Sequence, residues 1–124
     1  MEVAATTARD PDSEVALDCW HLPPELEVAP ERVLEHTLPE GTSWGTARIV
    51  NPELGVAVAV SWDRAELPRL NQWLDPNPGM AVLGIEPANC STGGRAHDRA
   101  RGRLPMLEPG RERTTRLRLE AAPC

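Results

Sequence analysis

The clearest periodic signal lies in residues 54–62. There Leu54, Val56, Val58, Val60 and Trp62 alternate with Gly55, Ala57, Ala59 and Ser61. Strict period two with β-branched residues predicts a strand. Upstream, Arg32-Val33-Leu34-Glu35-His36-Thr37-Leu38 predicts a strand that ends at Pro39, and Pro39-Glu40-Gly41-Thr42 is turn chemistry. Residues 44–50 predict a further strand, closed by Asn51-Pro52. With short links between them, these three are expected to form an antiparallel meander. Residues 67–74 are ambiguous between a short strand and a helical turn. Asp75-Pro76-Asn77-Pro78-Gly79 breaks the chain, and residues 80–86 predict a strand. Residues 88–103 read as a long loop because Gly93-Gly94 interrupts them. Leu107-Glu108-Pro109-Gly110 reads as a turn. In residues 113–121, Thr115, Leu117, Leu119 and Ala121 alternate with Thr114, Arg116, Arg118 and Glu120, which predicts a half-buried strand with one wet face. Residues 2–30 alternate poorly and carry Pro11, Pro23, Pro24 and Pro30. They read as mostly irregular, with a short extended piece over 15–20. No internal repeat is visible. The pattern predicts an all-β chain, its layers arranged as a sandwich.

Composition sharpens this. The 124 residues amount to about one domain, and 13 of them are Pro, which leaves little room for long helices. The aromatics are Trp20, Trp44, Trp62 and Trp73, with no Phe or Tyr, so the core must rest on Val, Leu and Ala. A formal net charge of -6 excludes a simple basic nucleic-acid binder. Cys19, Cys90 and Cys124 give neither a disulfide framework nor zinc-ligand spacing. No metal or cofactor is therefore expected. No apolar run approaches the length of a membrane span, and Met1-Glu2-Val3-Ala4-Ala5-Thr6 lacks the basic and apolar regions of a signal peptide. The expectation is a cytoplasmic chain with no membrane and no nucleic-acid partner.

Candidate chemistry centres on Ala81-Val82-Leu83-Gly84-Ile85-Glu86-Pro87. In a strand, Leu83 and Ile85 share one face, and Val82, Gly84 and Glu86 share the other. Gly84 removes side-chain bulk beside Glu86, and a strand glycine often marks the close approach of a ligand. Pro87 is expected to stop the strand and leave Glu86 at its end. A carboxylate placed there is a reasonable general base. The plainer alternative is an edge Glu facing water, with Gly84 at a bulge.

Gly84-Ile85-Glu86-Pro87-Ala88-Asn89, then Gly102-Arg103-Leu104, Leu107-Glu108-Pro109-Gly110 and a terminal alternating strand, resemble the C-terminal end of the aldose 1-epimerase (galactose mutarotase) superfamily. The likeness is greatest to a little-characterised branch. Pro30-Glu31-Arg32-Val33-Leu34-Glu35-His36 and Leu67-Pro68-Arg69-Leu70-Asn71-Gln72-Trp73 fit the same branch in order and spacing. The resemblance implies a large twisted supersandwich that binds a sugar on one open sheet face. A Glu matching Glu86 would take the proton from the anomeric hydroxyl, and a His would protonate the ring oxygen. The family's His-bearing segment lies upstream of anything matched here. The chain therefore looks like the C-terminal portion of such a protein, an incomplete domain with little activity alone. The acidic residue that follows the family's Pro-Gly turn is displaced by one here, to Glu112.

The expected catalytic residue is Glu86, with Asn89, Trp73, Arg95 and His97 expected to bind the sugar. His21, His36 and His97 match no catalytic His by motif, and His97 is favoured by loop position. Arg95, Arg99, Arg101 and Arg103 could grip an anionic sugar substituent or simply be solvated. Trp62 is expected in the core, and Trp73 is the better stacking candidate. A non-catalytic sugar-binding fragment and a β-sandwich interaction module are the alternatives. Exposed strand edges are expected to allow oligomerisation.

Overall fold

The computed structural model describes residues 3–18, 20–23 and 25–124. The expectations that fall on Met1, Glu2, Cys19 and Pro24 lie outside the described residues. Cys90 and Cys124 are free and exposed. The elements are β1 (Ala5–Ala8), a 3-10 helix (Pro11–Ala16), β2 (Arg32–Thr37), β3 (Trp44–Asn51), β4 (Val56–Asp63), β5 (Arg69–Asp75), β6 (Val82–Ala88), α1 (Gly94–Ala100) and β7 (Leu117–Pro123). The strands form two sheets, ordered β1-β2-β5-β6 and β3-β4-β7. Every pairing is antiparallel. The class is all-β, sandwich-like.

The core lies between the sheets. Ala47, Val60 and Trp62 of the second sheet pack with Leu38, Leu67 and Leu70, and with Ile85 of β6. A second cluster sets Ala16 against Leu34 and Leu74, flanked by Leu17, Trp20, Leu22 and Leu83. The N-terminal arm thus covers the part of the first sheet that the second sheet leaves open. Gly45 stands opposite Trp62 in the β3–β4 register. A Cβ at Gly45 would overlap the Trp62 indole, so this close approach requires glycine.

Several expectations are corrected. β3 and β4 pair, but β2 pairs with β1 and β5, so there is no three-stranded meander. The chain changes sheet between residues 38 and 43. Arg64 fixes that corner, its guanidinium donating to Pro39 O at 2.6 Å, Thr42 Oγ1 at 2.7 Å and Thr42 O at 3.1 Å. Residues 15–18 of the expected extended piece are not extended. Residues 11–16 instead form the 3-10 helix, capped by Asp10, whose Oδ1 accepts from Ser13 N at 2.9 Å and Ser13 Oγ at 2.7 Å. These Ser13 donors, with Arg9, hold the Asp10 carboxyl below its ordinary range. Ser13 Oγ in turn accepts from Val33 N at 2.9 Å, which ties the arm to β2. Leu54 and Gly55 belong to the β3–β4 turn, where Gly55 adopts φ +63° and Leu54 N donates to Asn51 Oδ1. Of the ambiguous residues 67–74, those from Arg69 onward are strand, in β5. Pro87 does not end β6, which runs on to Ala88 and pairs Pro87 with Leu70. A residue without an amide donor is tolerated there because β6 is an edge strand. Residues 88–103 are not all loop: α1 forms immediately after Gly93. The final strand is exposed along its whole length rather than half-buried, because neither core cluster contains a β7 residue.

The far end of the arm is also tied. Asn77, in the β5–β6 connection, donates from Nδ2 to Ala29 O at 2.8 Å and accepts at Oδ1 from Ala29 N at 3.2 Å. No helix among the described residues is long and apolar enough to cross a membrane.

Candidate site on the outer face of the first sheet

Strand register aligns two neighbouring rows on the outer face of the first sheet. One row runs Glu35, Asn71, Glu86 and the next runs Val33, Trp73, Gly84. Leu34, Leu70, Leu74, Leu83 and Ile85 point the other way, into the core. Adjacent strands lie about 4.8 Å apart, so two strand spacings set Glu35 and Glu86 roughly 10 Å apart at the backbone. Between them stands Asn71, 7 % exposed, whose Oδ1 has no hydrogen-bond partner. A buried polar atom left unpaired costs free energy, and Trp62 Nε1 between the sheets is in the same state.

Asn71, Trp73 and Glu86 line a shallow cavity of about 310 Å³, with Arg9, Glu31, Val33 and Thr92. Trp73 Nε1 donates to Glu31 Oε2 at 2.9 Å, and Arg9 donates to Glu31 Oε1 at 3.1 Å. This fixes the indole across the floor. A Cβ at Gly84 would stand 3.0 Å from Glu86 Oε1 and 3.3 Å from Trp73 Cβ. Glycine therefore leaves room beside the exposed Glu86 carboxylate. Glu35 is held by Arg69 and accepts from Thr92 N at 3.4 Å. Next to Thr92, Ser91 donates from N at 2.9 Å and from Oγ at 2.7 Å to the buried Asp98 of α1. Those donors hold the Asp98 carboxyl below its ordinary range.

The sequence candidates divide. Glu86 and Trp73 share the cavity, although Glu86 lies inside β6 rather than at its end. Asn89, Arg95 and His97 do not line it. Arg95 is exposed on α1, and His97 accepts at Nδ1 from Arg101 at 3.0 Å. His36 sits on the opposite face, 2 % exposed. Its Nε2 donates to Gln72 Oε1 and its Nδ1 meets Thr6 Oγ1, both at 2.9 Å. Trp20 packs edge-on to its ring at 5.0 Å. Burial pushes the His36 pKa down, against the Gln72 contact that raises it. His21 lines a different cavity of about 790 Å³ between the sheets, with Trp20, Leu22, Ile49, Leu83 and Ile85. No histidine lines the Glu86 cavity, and the described residues hold no metal-binding cluster. Sequence reading missed Asn71, Glu31 and Arg9 as site residues. Reading residues 67–74 as a strand would have put Asn71 on the face of Trp73.

Residues 1–121 match the family described as "Domain of unknown function (DUF4432)", and the chain belongs to it. No curated protein and no solved structure matches.

Proposed function

We propose that the chain is an aldose 1-epimerase-like protein that binds a neutral sugar on the outer face of the first sheet. The observation that carries this reading is the exposed Glu86 carboxylate, set in one cavity with the Trp73 indole and beside the space that Gly84 leaves open. A sugar hydroxyl would donate to Glu86, and the apolar face of the ring would lie on Trp73. Glu31 and Glu86 outnumber Arg9 in the lining, which favours a neutral sugar over a phosphorylated or acidic one. Glu86 is the group suited to take the proton from the anomeric hydroxyl as the bond between C1 and the ring oxygen opens. The ring oxygen needs a proton in return, and no histidine faces it from the cavity. This supports sugar binding with little mutarotation by the chain alone.

The test pairs calorimetric titration of glucose and galactose with polarimetry of α-anomer equilibration. Binding that quenches tryptophan fluorescence, and is weakened by Glu86→Ala and by Trp73→Leu, is expected. Mutarotation should stay near the uncatalysed rate. No binding of either sugar, or binding indifferent to Glu86→Ala and Trp73→Leu, would overturn the site.

A further inference from the structure

The strand left without cover, β7, carries a self-complementary sequence on a free edge. It pairs with β4 alone, and its other edge is open. The remaining open edges belong to β1, β3 and β6. The β6 edge has a single carboxylate, β1 has no charged residue, and β3 has only Arg48, so none of them can pair opposite charges with a copy of itself; β7 has its proline only as its last residue, Pro123. In β7 the run is Leu117-Arg118-Leu119-Glu120-Ala121. Laid antiparallel against itself about Leu119, it sets Arg118 opposite Glu120 twice. Leu119 then meets Leu119, and Leu117 meets Ala121. Paired residues in a sheet point to one side, so the charged pairs share one face and the leucines the other. Leu117 and Leu119 are 54 % and 70 % exposed. They sit beside Trp62 and Val60 in the β4 register, so they extend the apolar inner face past the point where the first sheet covers it. Arg118 and Glu120 already pair along the strand at 2.8 Å, with most of each side chain in water.

We propose that β7 is a dimerisation edge, on which a second copy of the chain pairs its own β7 antiparallel, centred on Leu119. The two three-stranded sheets join into one of six strands about a twofold axis, an isologous contact. Backbone hydrogen bonds supply the attraction common to any strand addition. The Arg118 and Glu120 pairs set register and direction.

Sedimentation equilibrium under reducing conditions, which keep Cys90 and Cys124 from cross-linking, tests this. The unaltered chain is expected to dimerise at micromolar concentration. Arg118→Glu and Glu120→Arg each place like charges opposite each other twice, and each should weaken the dimer about tenfold or more. The double swap Arg118→Glu/Glu120→Arg restores opposite charges and should recover the dimer. An equimolar mixture of the two single variants should form a heterodimer. Far-UV circular dichroism of each variant checks that the fold is kept. A chain that stays monomeric at millimolar concentration overturns the proposal. So do single variants that dimerise as tightly as the parent, or a double swap that does not recover the dimer.

Discussion

The two sheets share one core but are covered to different degrees. In the first sheet, consecutive residues of both middle strands are buried: Val33 and Leu34 in β2, and Leu70, Asn71 and Gln72 in β5. The arm and the second sheet cover its inner face, and the Glu31, Arg9 and Trp73 cluster stands over part of its outer face. The second sheet loses its cover strand by strand, from Trp62 at 0 % exposed to Leu119 at 70 %. Burial is thus decided by what lies opposite a strand rather than by the strand's own alternation. Of the polar side chains pushed into the doubly covered sheet, His36 and Gln72 find partners, and Asn71 Oδ1 does not.

Substitutions can break this comparison. The largest loss is expected for Trp62→Ala, about 3–5 kcal/mol, because the indole is the largest side chain fully enclosed between the sheets. Chemical denaturation should find the variant largely unfolded in dilute buffer. Leu70→Ala in the first sheet should cost about 2–5 kcal/mol. Leu119→Ala in the second should change monomer stability by no more than about 0.5 kcal/mol. Equal losses at Leu70 and Leu119 would show that β7 is covered after all. Gly45→Ala should cost about 1–3 kcal/mol through the crowded indole, read as a lower midpoint at unchanged slope.

A smaller effect concerns His36. Its folded pKa lies below the ordinary 6.5, so between the two values the unfolded chain binds more protons. The neutral ring's contribution is complete above pH 6.5 and is lost as pH falls below it. Asp10 and Asp98, both held below 3.8, keep their contributions until the pH drops beneath that value. The melting temperature should therefore begin to fall below pH 6.5 and fall further below pH 3.8. His36→Gln should remove the loss that begins at pH 6.5 and leave the one below 3.8.

Strand existence was legible: β2, β3, β4, β6 and β7 overlap the expected runs, with strict alternation marking β4 and β7, although β7 spans Leu117–Pro123 rather than 113–121. Pairing was not legible, because Leu38 and Thr42 do not reveal that Arg64 will pin the corner between sheets. β5 was ambiguous for a physical reason. Its buried Asn71 and Gln72 erase the apolar-polar alternation that marks a strand covered on one face. Glu86 and its open neighbour Gly84 could be read from spacing, whereas Asn71 could be found only once β5 was known to lie between β2 and β6.

The Asn77 contacts with Ala29 have a further consequence. The arm is held at one end by β1 and by Ser13 Oγ on Val33 N, and at the other by Ala29 on Asn77. Residues 25–28 of the stretch between are exposed, Val28 at 89 %. A protease that cuts near Leu26 or Val28 would leave both pieces attached. The nicked chain would keep its β-rich spectrum and run as two fragments only after denaturation. The covering of the inner face by Trp20 and Leu22 thus depends on the ties of the amino-terminal piece, through β1, Ser13 and the Gln72 amide on Trp20 O, rather than on an unbroken backbone.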